Sequence, residues 1–188
     1  MTQLALRFPG HQIAYWANRF ADASSDDDAI AIGSRMRAEG FLTKTDLLRI
    51  SAWKSPRSRR HVARNEEEFV RAATRTALST RDERLRIEVL TLLRGVDWPT
   101  ASVILHFGHV DPYPILDIRA LWSLGVASPP VYDFPFWWEY TEVCRRVARR
   151  YSCTMRVLDR ALWQYSKERQ RKPSRSSGTR SFARRSTR

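Results

Sequence analysis

The run Leu92-Leu93-Arg94-Gly95-Val96-Asp97-Trp98-Pro99-Thr100-Ala101 limits the fold of this chain more than any other segment. Before it, Leu85, Val89, Leu92 and Leu93 recur at helical spacing; after it come Ala101, Val103, Ile104, Leu105 and Phe107. Pro99 suits the first turn of a helix. Gly95 allows a backbone conformation that a side chain opposes. Two helices must therefore meet across a turn only a few residues long, over about residues 84–107, with Val96 pointing inward to pin them together. The turn and the start of the second helix then leave backbone N–H groups facing outward. Together with the positive helix end, these suit a DNA phosphate. The same spacing also fits an ordinary αα-hairpin packed in a core.

The rest of the chain reads as helical, and alternating β-branched runs bounded by turns do not occur. Ser24-Ser25-Asp26-Asp27-Asp28 supplies caps and acids ahead of Ala29 to Ile32. Thr43 caps a segment holding Leu47, Leu48 and Ile50, and Asn65 with Glu66-Glu67-Glu68 opens another. Ser79-Thr80-x-x-Glu83 has the form of a capping box for the first hairpin helix. After Gly108, a loop from His109 to Pro114 leads to Ile115-Leu116-Asp117 and a short helix from Ile118 to Leu124. Ala127-Ser-Pro-Pro130 is a break, and Phe134 to Arg150 and Thr154 to about Gln170 are the last two helices. The fold class expected is all-α: one helical domain over residues 1–170 and a disordered basic tail over 171–188.

The net charge of +13 points to a polyanion. From Ser166 onward there are nine Lys/Arg and one Glu, but the body is basic as well. The same balance, 29 Arg against four Lys, also fits codon bias. Two cysteines, Cys144 and Cys153, and four histidines without a CxxC support no zinc site, and a Cys₄ iron–sulfur cluster is excluded by count. Free thiols fit a reducing cytoplasm. No window nears eighteen apolar residues and no signal peptide is evident, so no membrane partner is expected.

Leu93-x-Gly95-Val96-x-x-x-Thr100-Ala101, an apolar helix, and then Pro114-Ile115-Leu116-Asp117 about twenty residues after the glycine together resemble the helix-hairpin-helix DNA glycosylase superfamily. The match covers about Leu85 to Leu124. It implies a helical glycosylase-like domain acting on double-stranded DNA that carries a damaged or modified base, and a monomer is expected. In the resemblance Asp117 is the catalytic carboxylate. Breaking an N-glycosidic bond builds positive charge on the deoxyribose, which a fixed carboxylate stabilises while it orients or deprotonates water. Asp117 also fits a plain N-cap of the helix that follows it, and the two readings are compatible. Gly95, Val96, Asp97, Trp98 and Thr100 fall in the DNA-binding hairpin.

Two departures matter. Asp97 stands where the family has its second hairpin glycine, placing an acid near the phosphate or a cap on the second helix. Pro99 stands where bifunctional members carry a Schiff-base lysine; without that amine the resemblance implies a monofunctional enzyme that leaves an abasic site. In some members the hairpin carbonyls hold a monovalent cation. No other cofactor is implied.

Outside the hairpin, Trp53-Lys54-Ser55-Pro56-Arg57-Ser58-Arg59-Arg60-His61 is a basic loop with an aromatic, in which Lys54 and Arg57 can meet phosphate; it also fits a solvated surface loop. A substitute Schiff-base role for Lys54 is a further reading. A base extruded from the helix needs aromatic walls, and Trp53, Trp138 and Trp163 are candidates, with Gln164 offering an amide to a base edge. At helical spacing these residues equally suit a core. His106 and His109 lack a third metal ligand, and Asp159 reads as a surface or capping acid. Beside the glycosylase stand two alternatives: a non-catalytic helix-hairpin-helix DNA-binding module, and a related base-modifying protein. Repair of damage and defence against hypermodified phage DNA are both open.

Overall fold

The computed structural model describes residues 4–20, 26–128 and 131–170. They contain ten α-helices and no strand: α1 (Ile13–Asn18), α2 (Asp27–Glu39), α3 (Lys44–Lys54), α4 (Arg59–Val62), α5 (Glu67–Ser79), α6 (Glu83–Thr91), α7 (Trp98–Gly108), α8 (Ile118–Ser123), α9 (Phe134–Arg150) and α10 (Met155–Arg169). Buried side chains from Leu4 to Leu162 form one core cluster. The basic tail expected to be disordered, the Ser24-Ser25 caps and the Pro129-Pro130 break lie outside the described residues.

The hairpin is formed by α6 and α7. In α7, eight of eleven residues are buried, which makes it the central helix. Pro99 sits in its first turn, where a missing N–H costs no hydrogen bond. α2, α3 and α6 pack on α7. The α2 crossing is close enough that a Cβ on Gly33 would lie 2.1 Å from the Phe107 carbonyl oxygen. On the other side of the core, α10 packs against α1, α8 and α9.

At the turn, Gly95 has φ +77°, a region that disfavours any side chain. Val96 is buried, as its inward role requires. Asn65 fixes the turn from outside. Its Nδ2 donates to the carbonyls of Val62 and Arg94, both at 2.9 Å, and its Oδ1 accepts the Arg94 N–H at 2.8 Å. Asn65 is therefore not the cap of α5; Glu66 takes that position in extended backbone, without a side-chain bond. The capping box at Ser79-Thr80 also gives way. α5 runs to Ser79, whose hydroxyl bonds within that helix, and Asp82 caps α6 by accepting the Leu85 N–H at 2.7 Å. Thr43 and Thr154 cap α3 and α10 as their positions suggest.

The chain from His109 to Asp117 is irregular; side chains from two helices hold its backbone, and a third helix holds the Tyr113 side chain. His106 meets the Tyr113 carbonyl at 2.7 Å, and Ser102 accepts the Leu116 N–H at 2.8 Å, both from α7. From α9, Tyr140 donates to the Ile115 carbonyl at 2.7 Å and Arg145 to that of Pro112 at 2.9 Å. From α6, Glu83 accepts the Tyr113 hydroxyl at 2.7 Å.

Asn65→Ala leaves the Arg94 N–H and two carbonyls without their side-chain partner. It should cost about 1–3 kcal/mol, measured as a lower urea midpoint. An unchanged midpoint would show that the hairpin does not depend on this bridge.

Candidate active site

Asp117 borders a pocket of about 130 Å³. Its apolar walls are Phe20, just after α1, Trp53 in the last turn of α3, Ile115 in the loop, and Trp163 on α10. Its polar groups are Lys54, Asp117, Arg156 and Asp159. Arg156, Asp159 and Trp163 lie three and four residues apart on α10, so one helical stripe supplies one side of the pocket.

The two oxygens of Asp117 have separate jobs. Oδ1 accepts the Arg119 N–H at 2.8 Å and caps α8. Oδ2 accepts from Lys54 Nζ at 2.7 Å. Both contacts are of the kind that a charged carboxylate makes. The Asp117 side chain keeps 22% of its surface exposed and that of Lys54 keeps 14%, so the pair sits at the pocket mouth rather than sealed beneath it. Capping and facing the pocket are thus both realised in one residue.

Beside this pair, Arg156 is held on two sides. Asp26 accepts from its Nε and Nη2 at 2.7 and 2.6 Å, and Asp159 accepts from Nη1. Arg160 adds a third donor to Asp26 at 2.8 Å. The guanidinium of Arg156 also lies 5.5 Å from the ring centres of both Trp53 and Phe20. Burial works against the charge of Asp26, but its hydrogen bonds and Coulomb attraction to Arg156 and Arg160 win, and its carboxyl is held below the ordinary range. Asp159 goes the other way: burial raises its carboxyl to about 6, against the opposing pull of Arg156 and Lys54. It is a buried acid of the pocket, not the surface or capping acid that its sequence position suggests.

Of the residues singled out in the sequence, Trp53, Lys54, Asp117 and Trp163 border this one pocket. Trp138 and Gln164 do not line this pocket. Trp138 stacks on Phe134 at 6.2 Å beneath Arg145, and Gln164 is buried on another face of α10, donating to Glu168 at 2.6 Å. Phe20, Ile115, Arg156 and Asp159 were missed. For the last two, the i, i+3, i+7 stripe ending at Trp163 was the available signal.

The hairpin offers less than its sequence suggests. The Val96 N–H is used by the Leu93 carbonyl at 3.0 Å, and the Trp98 N–H by the Asp97 carboxylate at 2.7 Å. Among the described residues, the N–H groups of Gly95 and Asp97 make no hydrogen bond. The side chains of Val96 and Thr100 are buried and Trp98 packs near Trp137, so these three shape the hairpin rather than reach out of it. Around the turn, however, the chain is basic. A Cβ on Gly95 would lie 2.9 Å from His61, which puts α4 directly against the turn. Arg57, Arg59, Arg60, Arg64 and Arg94 are all exposed here.

His106 lies beneath the loop that carries Asp117. Burial, the largest influence, pushes its imidazole down to about 4, so it is neutral at neutral pH and donates Nδ1–H to the Tyr113 carbonyl. In the unfolded chain a histidine takes up its proton near pH 6.5. Between about 6.5 and 4 the unfolded state therefore binds more protons, and stability is lost as pH falls through that window. His106→Gln should be less stable than the parent at pH 7.5, and the gap should narrow by pH 4.5. Urea midpoints across that range test it; a constant gap contradicts the assignment.

No protein-family model, curated protein or solved structure matches the chain. Among the described residues no helix is long and apolar enough to cross a membrane.

Proposed function

We propose that this protein is a monofunctional DNA N-glycosylase, which hydrolyses the bond between a damaged or modified base and deoxyribose and leaves an abasic site. The observation that carries the reading is the open pocket beside Asp117, walled by Phe20, Trp53 and Trp163. A base turned out of a duplex needs flat apolar surfaces for its faces and polar groups for its edge. At about 130 Å³ the pocket is smaller than the roughly 300–1,000 Å³ typical of drug-sized ligands. It suits a single ring system.

Asp117 lies at the mouth of the pocket, where the sugar of such a nucleotide would lie. Its charge stabilises the oxocarbenium-like sugar, and its free lone pairs orient the attacking water. The exposed arginines around the Gly95 turn, with the unpaired N–H groups of Gly95 and Asp97, form a phosphate-facing surface without sequence readout. Two observations favour water over an amine as nucleophile. Pro99 occupies the hairpin position of the lysine in strand-cleaving relatives of this chemistry. Lys54, the lysine of the pocket, is engaged as a donor to the Asp117 carboxylate rather than free to attack the sugar. A non-catalytic binding module accounts for the hairpin and the basic face but gives no reason for an open pocket at Asp117.

Asp117→Asn keeps an oxygen for the α8 cap and removes the charge. It should bind duplex DNA within about threefold of the parent and lose base release by about 10²–10⁴-fold, read by single-turnover chromatography of released base. A variant as fast as the parent refutes the role of Asp117. Borohydride added during turnover should trap no protein–DNA adduct and the abasic strand should stay intact. An adduct that disappears in Lys54→Met would instead make Lys54 the nucleophile.

A further inference from the structure

The pocket contains a second carboxylate for which hydrolysis as described above has no use. Asp159 is 8% exposed and borders the same cavity as Asp117. Arg156 donates to its Oδ2, and its Oδ1 makes no hydrogen bond among the described residues. The groups facing it are Lys54 from α3, Asp117 at the head of α8, Tyr140 and Cys144 from α9, and Arg156 on its own helix, with Asp26 beyond Arg156. The two carboxylates differ in the way that separates an acid from a base. Asp117 has an ammonium and a backbone N–H on its oxygens and is partly exposed. Asp159 is buried, and burial favours its neutral form up to about pH 6.

We propose that Asp159 is the general acid that protonates the departing base, opposite Asp117 at the sugar. This rests on the glycosylase reading and narrows the substrate to neutral bases that leave poorly as anions, purines above all. The step balances. The C1′–N bond breaks with its electron pair passing to the base, and the Asp159 carboxyl proton moves to a base nitrogen or conjugated oxygen. Water adds its oxygen to C1′ and gives a proton to Asp117. Exchange with solvent then returns Asp117 to carboxylate and Asp159 to acid.

The leaving group supplies the test. Duplex oligonucleotides carrying hypoxanthine, 8-oxoguanine or N7-methylguanine are compared under single-turnover conditions from pH 5 to 8, with the parent and with Asp159→Asn. N7-methylguanine is cationic before it leaves and needs no acid. On the neutral purines the parent rate should fall about tenfold per pH unit above about pH 6, and Asp159→Asn should lose about 10²-fold or more together with that slope. On N7-methylguanine both proteins should agree within about threefold, which also shows that the variant is folded. Equal losses on all three bases, or a parent rate that is flat or rising with pH on the neutral purines, overturn the acid role while leaving the glycosylase standing. Release of N7-methylguanine alone overturns the acid role as well. Release of none of the three by the parent overturns the acid role and its purine preference; the glycosylase reading falls only if the parent also releases no base from duplexes carrying modified pyrimidines.

Discussion

The loop from His109 to Asp117 is the element on which the site depends. It has neither helix nor strand to satisfy its backbone, yet Tyr113, Ile115 and Leu116 are buried within it. Each buried carbonyl or N–H left unpaired would cost on the order of 1–3 kcal/mol. Ser102, His106, Tyr140 and Arg145 supply the partners, so the loop is held by side chains of α7 and α9 at four successive points. Asp117 is the residue at which this tethered stretch turns into helix α8. Its position is therefore set by the packing of α7 and α9, not by local preference.

The charges in and behind the pocket alternate: Asp26, outside it, with Arg156 and Asp159 in one line, Lys54 and Asp117 in another. Buried ion pairs are weak contributors to stability, because desolvation consumes most of their attraction. An apolar filling of the same volume would hold α10 at least as well. The arrangement is better explained by what it does to the carboxylates. Arginine contacts keep Asp26 charged, while burial outweighs a single arginine contact at Asp159. One cation thus bridges two acids whose carboxyls are shifted in opposite directions.

Much of this was legible in the chain itself. The hairpin, with Gly95 at positive φ, Val96 inward and Pro99 in the first turn of α7, follows from residue types alone, and α9 spans the very residues its pattern marks. Asp117 was legible as a cap and as a candidate carboxylate. What was hidden is tertiary. Lys54 is 63 positions from Asp117, and no local pattern records their contact. Asp159 looked like an exposed acid because helical spacing places it but cannot say what covers it; Asp26, 133 residues earlier, builds the network around it. Trp138 and Gln164 failed for the reverse reason. Aromatic and amide side chains at helical spacing serve a core as readily as a pocket, and only the orientation of α9 and α10 decides. Asn65 was read as a cap because caps are the common use of asparagine; a residue 29 positions away claimed its amide instead.

That amide has a consequence for how the molecule would meet the polyanion of the proposed function. Asn65 joins the end of the basic α4 segment to the hairpin backbone through three hydrogen bonds. The arginines before it and the turn beyond it are thereby parts of one rigid plate rather than two loops on separate hinges. A ligand docking there freezes few backbone motions, so little conformational entropy is lost on contact. Under the proposed function, the geometry of the plate would determine where along a phosphate backbone the mouth of the pocket comes to rest.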